Sequence, residues 1–162
     1  MTDHLLIDGY NVLHAWPELR RQMKRSVDGA RDNLIETVRV IRSVDGLRIT
    51  LVFDGKGDKP EVEYPGDDNG FAVLFAPAGI SADALIEQIV RKAKKPERCQ
   101  VISRDNLVIE SIRAAGGYGY TPDDLADWVR RCEERQTRTI MNQSKSNNKL
   151  WKDSNPWDGL ES

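Results

Sequence analysis

The sequence predicts an α/β domain with a mostly parallel sheet and helices on both faces, and three observations carry that expectation. Short apolar runs alternate along the chain with longer stretches in which apolar residues recur every three or four positions. The runs are apolar at consecutive positions, the pattern of strands covered on both sides rather than one. The length of 162 residues suits one domain and allows a three-layer core without a disulfide or metal staple. With 39% hydrophobic residues and 12 glycines, the composition excludes wholesale disorder.

The first strand is His4-Leu5-Leu6-Ile7, closed by the turn pair Asp8-Gly9. From Val27 to Val44 the positions Ala30, Leu34, Val38 and Ile41 make one helical stripe, which Gly46 stops. Arg48 to Phe53 is β-branched and apolar and again ends in Asp-Gly, at Asp54-Gly55. A polar loop is expected from Lys56 to Asn69, then a third strand from Phe71 to Phe75. Ser81 caps a helix whose stripe is Ala82, Leu85, Ile86, Ile89 and Val90 and which lasts to about Lys94, where Pro96 terminates it. Cys99 to Ser103 reads as strand four, followed by a helix from Arg104-Asp105-Asn106 to Ala115 that Gly116-Gly117 ends. Tyr118 to Tyr120 is a short fifth strand, and Thr121 with Pro122 opens a last helix carrying Leu125, Trp128, Val129 and Cys132 on its inner stripe.

The folded domain is expected over residues 1–138. From Thr139 the composition turns to Gln, Ser, Asn and Lys, so residues 139–162 read as a polar tail, flexible or docked through Trp151 and Trp157. No apolar run approaches the roughly 20 residues of a membrane span, which argues against a membrane partner and for a cytoplasmic location. Cys99 and Cys132 lack metal-site spacing and read as reduced thiols without a role, and His4 and His14 read as structural.

Net charge is −2, but the charges are clustered. Arg20, Arg21, Lys24 and Arg25 form one basic group, a second contains Arg91, Lys92, Lys94, Lys95 and Arg98, and a third Arg130, Arg131, Arg135 and Arg138. Such groups either hold phosphates or are solvated helix faces.

Ligands of an open parallel sheet bind beyond the carboxyl ends of its strands. Asp8, Asp54 and Asp105 follow strands one, two and four, so all three are delivered to one edge, and Asp83 opens the helix after strand three toward that same edge. Glu87 is one turn further along that helix. Each acid alone could be a turn or cap residue, but together they would repel one another in a cleft unless a hard cation shared them. An all-oxygen set without clustered His or Cys favours Mg²⁺ or Mn²⁺ over zinc. Such an ion lowers the pKa of bound water and neutralises a phosphoryl group. Asn11, Ser103 and Asn106 stand beside these acids as supporting polar groups or local caps, Gly9 lets the backbone approach a ligand, and Tyr10 could stack a base. Neither a dinucleotide-binding nor a P-loop glycine pattern opens a helix.

Four motifs in order, Ile7-Asp8-Gly9-Tyr10-Asn11-Val12, Val52-Phe53-Asp54-Gly55, Ser81-Ala82-Asp83-Ala84-Leu85-Ile86-Glu87 and Ser103-Arg104-Asp105-Asn106, resemble the YacP-like branch of the NYN domain family, relatives of the PIN nucleases. The resemblance spans roughly residues 4–138 and implies a three-layer PIN-like fold with a five-stranded sheet in the order 3-2-1-4-5. It also implies a metal-dependent endoribonuclease that leaves a 5′-phosphate. Carried over by motif, Asp8, Asp83 and Asp105 look like the metal-binding acids, Asp54 a fourth catalytic acid, and Asn11 a supporting group. Some relatives look like ribosome-associated enzymes that cut messenger RNA, so RNA is the expected partner and the ribosome a candidate one. Arg104 would either oppose a metal or hold a phosphate, and with Arg20, Arg21, Lys24, Arg25, Lys94 and Lys95 it makes up the expected RNA-binding set. A non-catalytic RNA-binding module on the same scaffold is the alternative reading. Oligomeric state is not legible.

Overall fold

Leu5, Leu6 and Ile7 are all fully buried because the strand they form lies at the centre of a sheet covered on both faces. The computed structural model describes residues 3–154, with side chains described through residue 145. Strand β1 (His4–Asp8) is followed by helices α1 (Gly9–Ala15), α2 (Pro17–Met23) and α3 (Val27–Asp45), then by strands β2 (Arg48–Asp54), β3 (Glu61–Glu63) and β4 (Phe71–Ala76). Helix α4 (Ala82–Lys92), strand β5 (Cys99–Ile102), helix α5 (Asn106–Ala114), strand β6 (Tyr118–Tyr120) and helix α6 (Pro122–Ser154) complete the described chain.

Alternation along β1 divides the interior into two layers. Leu5 and Ile7 join one core cluster with Leu34, Val38 and Ile41 of α3 and with Leu125 and Val129 of α6. Leu6 joins the other, with Ile86 and Val90 of α4 and Val108 and Ile112 of α5. The stripes expected from sequence are thus the faces that meet the sheet.

The sheet has six strands in the order β3-β4-β2-β1-β5-β6, not five. The additional strand, β3, pairs antiparallel with β4 at the edge, while every other pairing is parallel. All three of its residues are exposed, so it carries no apolar signature and had read as part of a polar loop. Helices α1 and α2 were also unexpected. Each has seven residues, too few for a period to show, and their starts are set by local chemistry: Asp8 caps α1 and Pro17 occupies the first position of α2. Helix α3 ends where foreseen, at Gly46, whose φ of 70° is the left-handed conformation that terminates a helix cheaply only in glycine.

Helix α6 continues through Ser154, so the segment from Thr139 that read as a polar tail is helical as far as that residue. The expected docking by Trp151 and Trp157 lies outside the described side chains. No helix among the described residues is long and apolar enough to cross a membrane.

β1 lies between β2 and β5. From β1 the chain passes through α3 on one face to reach β2, and from β5 it passes through α5 on the other face to reach β6. The connections therefore diverge beyond the carboxyl ends of β1 and β5, which leaves the crevice where open sheets bind ligands.

Candidate active site

Asp8 is the last residue of β1 and the cap of α1, and only 6% of its surface is exposed. It lines a cleft of about 160 Å³ together with Asp54, Asp83 and Asp105, so four of the expected acids come to one place. Asn11 and Ser103 line the same cleft, as do Tyr10 and Ser81.

Each carboxylate is anchored through its Oδ1. Asp8 accepts from the Asn11 backbone N–H at 3.3 Å and Asp54 from the Ala82 N–H at 2.8 Å. Asp83 accepts from the Ala84 N–H at 3.0 Å and Asp105 from the Leu107 N–H at 2.9 Å. These contacts hold acids at helix N-termini, where backbone amides and the helix dipole favour negative charge. The Asp54 contact also ties the end of β2 to the start of α4, a junction with no sequence signal.

Burial pushes the Asp8 carboxyl up to about 6, and the negative charges of Asp83 and Asp54 push the same way. The Asn11 amide and the positive charge of Arg104 oppose that rise. Asp8 thus feels the charges of both Asp54 and Asp83. Asp105 lines the cleft from the β5 side.

Asn11 ties the two sides together. Its Oδ1 accepts from the Arg104 backbone N–H at 2.7 Å and from the Ser103 hydroxyl at 3.2 Å, while the Ser103 Oγ accepts from the Asp105 N–H at 3.1 Å. Ser103 is 1% exposed and its own N–H donates to the Tyr120 carbonyl at 3.0 Å, so the turn carrying Asp105 is fixed from α1 and β6 at once. Asn11 and Ser103 are positioning residues here.

Several expected residues stand elsewhere. Glu87 does not line the cleft and faces Arg91 at 3.5 Å, an i,i+4 pair on α4. Asn106 is exposed at the first position of α5. Arg20, Arg21, Lys24 and Arg25 are exposed on or just after α2. Lys94 and Lys95 follow the far end of α4, which starts at the cleft and runs 11 residues, about 16 Å, away from it. They precede Cys99, which pairs with His4 at the opposite edge of the sheet. Of the expected RNA-binding cations, Arg104 is the one whose charge acts on the cleft acid Asp8.

Gly9 has a steric role: a Cβ there would stand 2.2 Å from Phe53 Cε1. Tyr10 packs edge-on against the same ring at 5.2 Å, and its hydroxyl accepts from Arg31 at 3.1 Å. His4 bonds Thr50 Oγ1 at 2.8 Å, and burial and then Arg48 bring its imidazole down to about 4, consistent with a structural part. Both cysteines are buried and unpaired.

The all-oxygen donor set suits a hard divalent cation in its chemistry. Among the described residues, however, no three His, Cys, Asp or Glu side chains converge on one ion position. The arrangement therefore fits ions held by one or two carboxylates and completed by water, the usual habit of Mg²⁺.

A mostly parallel sheet with acids at its switch point, reached in this order along the chain, is the arrangement of an α/β domain of the NYN class. The chain belongs to the YacP-like NYN domain family, whose model matches residues 5–159. It is 35% identical over 139 residues to a Bacillus subtilis (strain 168) protein named YacP and described as uncharacterized, covering 85% of this chain and 81% of that one. It is also similar to two crystal structures of Rae1 (YacP) from Bacillus subtilis. One superposes with a TM-score of 0.70 at 27% identity, covering 99% of this chain and 91% of the other. The second, a single-substitution variant, gives 0.71 at 26% identity over 89% and 85%. The family match runs well past Thr139, so the continuation of α6 lies within the family's extent.

Proposed function

We propose that this protein is a metal-dependent endoribonuclease that hydrolyses RNA phosphodiester bonds. The observation that carries the reading is the meeting of Asp8, Asp54, Asp83 and Asp105 in one cleft at the switch point of a YacP-like NYN domain. Asp8, Asp83 and Asp105, with Asp54 as a fourth acid, would hold Mg²⁺ or Mn²⁺ through one or two carboxylates per ion, water completing each shell. When bound, the ion supplies a water of lowered pKa and offsets charge at the phosphoryl group. Asn11 and Ser103 keep the Asp105 turn in register with Asp8, and Arg104 offers its guanidinium to a phosphate oxygen at the rim. The cytoplasm is the proposed compartment, and ribosome-associated messenger RNA is one substrate the reading includes.

A non-catalytic RNA-binding module on the same scaffold is the second reading. Purified protein incubated with single-stranded RNA and Mn²⁺ separates the two. The enzyme reading expects cleavage by the wild type, none with chelator, and none by Asp8→Asn. Cleavage undiminished in Asp8→Asn points to a contaminant and sinks the assignment. Wild type inert on both naked and ribosome-bound messenger leaves the binding module.

A further inference from the structure

A second and larger cavity, about 320 Å³, opens beside the acidic cleft between the sheet edge and the first turns of α6. Strand β6 is an edge strand whose residues alternate between two environments. Gly119 faces α5, where a Cβ would stand 2.6 Å from Ile109 Cγ2. Tyr118 and Tyr120 therefore project to the other side, and they are 52% and 37% exposed. Their partners in register are Gln100 and Ile102 of β5.

Across from Tyr120 the cavity is walled by Trp128 and Arg131 of α6, with Asp124 and Asp127 on the same helix face. Their spacings of three and four residues put all four on that face. Trp128 is held in place by its Nε1–H, which donates to Asp45 at 2.7 Å. Asp127 accepts from Arg130 at 2.7 Å through Oδ1, and Asp124 accepts from the Thr121 N–H through Oδ2 at 2.9 Å, so each retains an oxygen for a further donor. The cavity neighbours the candidate active site: Ser103, which lines the cleft, donates its N–H to the carbonyl of Tyr120, which lines the cavity.

We propose that this cavity is a nucleobase subsite of the RNA groove, in which a base beside the cleaved phosphate stacks on Tyr120, with Tyr118 as a second platform. Aromatic faces exposed on a strand next to a cation are how proteins hold unpaired bases. Arg131 meets the backbone phosphate, and the Asp124 and Asp127 carboxylates accept from exocyclic amino groups. The subsite thus favours adenine, cytosine or guanine over uracil, which has no amino group. The proposal rests on the nuclease reading for its orientation, and its test has a binding readout of its own.

That test is fluorescence anisotropy of labelled A10 and U10 RNA with EDTA present, using wild type, Tyr120→Ala, Tyr120→Phe and Arg131→Ala. Wild type is expected to bind A10 more tightly than U10. Tyr120→Ala should lose at least about fivefold on A10, the loss expected for one stacked base, with Tyr120→Phe close to wild type. Arg131→Ala, at an exposed position, should weaken both RNAs and serves as the second variant if Tyr120→Ala does not fold. In cleavage of an A-rich RNA, Tyr120→Ala should raise KM more than it lowers kcat. Equal binding of A10 and U10 by wild type, or unchanged affinity in Tyr120→Ala and Arg131→Ala, overturns the subsite and leaves the nuclease reading intact. An inert wild type with Tyr120-dependent binding overturns the nuclease reading and keeps the subsite.

Discussion

Asn11 and Arg104 bind the two halves of the candidate site to each other: Asn11 Oδ1 accepts the Arg104 backbone N–H at 2.7 Å across 93 residues of sequence. The same oxygen accepts from the buried Ser103 hydroxyl. Asn11→Ala leaves that hydroxyl without its acceptor and the turn without its tether. A loss of about 1–3 kcal/mol is expected, the cost of leaving a buried polar group unpaired. Urea denaturation measures it, and an unchanged midpoint would show that the tether does not hold the turn.

The raised pKa of Asp8 makes stability depend on pH in a defined direction. The carboxyl rises from 3.8 to about 6 on folding, so the folded state binds the proton more tightly than the unfolded chain. The stability this gives is complete below about pH 4 and is lost as pH climbs through 6. At 1.36 kcal/mol per unit, the loss approaches about 3 kcal/mol for the wild type at pH 7.5. Asp8→Asn keeps an oxygen for the Asn11 amide but bears no charge. It should be more stable than wild type at pH 7.5 and no more stable at pH 4. A difference that is equal at the two pH values refutes this account.

Gly9→Ala should cost at least about 1–3 kcal/mol, the usual penalty for overpacking a filled core. Phe53 has little room to retreat, since it is fully buried between Tyr10 and the stacked ring of Phe75 at 5.8 Å. Gly57→Ala is the control, because its nearest contact would be an ordinary 3.6 Å. Thermal melts of the two variants should differ, and coincident curves would deny the Gly9 contact its importance.

The acids were legible because each follows or opens an element whose burial pattern is plain in the sequence. Asp8 and Asp54 end apolar runs, and Asp83 follows the cap residue Ser81. What closes the site was not legible. The Asn11 bridge to Arg104 and the Asp54 contact with the Ala82 amide depend on which turns face one another, and local pattern contains no such information. Ser81 was visible only as a cap, although it also lines the cleft. Glu87 misled because i+4 spacing from Asp83 gives a shared helix face, not a shared cleft, and Arg91 is one turn further on that face. Strand β3 and the polar stretch of α6 have little apolar patterning, so composition concealed their order.

The basic clusters give the last prediction, because the fold separates cations that the sequence could only group. Lys94 and Lys95 are exposed at the amino edge of the sheet, while Arg104 stands in the turn between Ser103 and Asp105 at the carboxyl edge. A strand of RNA lying in the acidic cleft can reach Arg104 directly. To meet Lys94 and Lys95 it would have to travel the length of α4, about 16 Å over 11 residues. Each phosphate contact on a single strand contributes about 0.7 to the slope of log affinity against log salt. Arg104→Ala should therefore flatten the slope by about that amount and weaken binding at low salt, whereas Lys94→Ala with Lys95→Ala should change neither. Binding to a short single-stranded RNA, titrated at several salt concentrations with EDTA present, decides between them. A slope that flattens in the lysine pair and not in Arg104→Ala would move the RNA path off the cleft and onto the opposite edge.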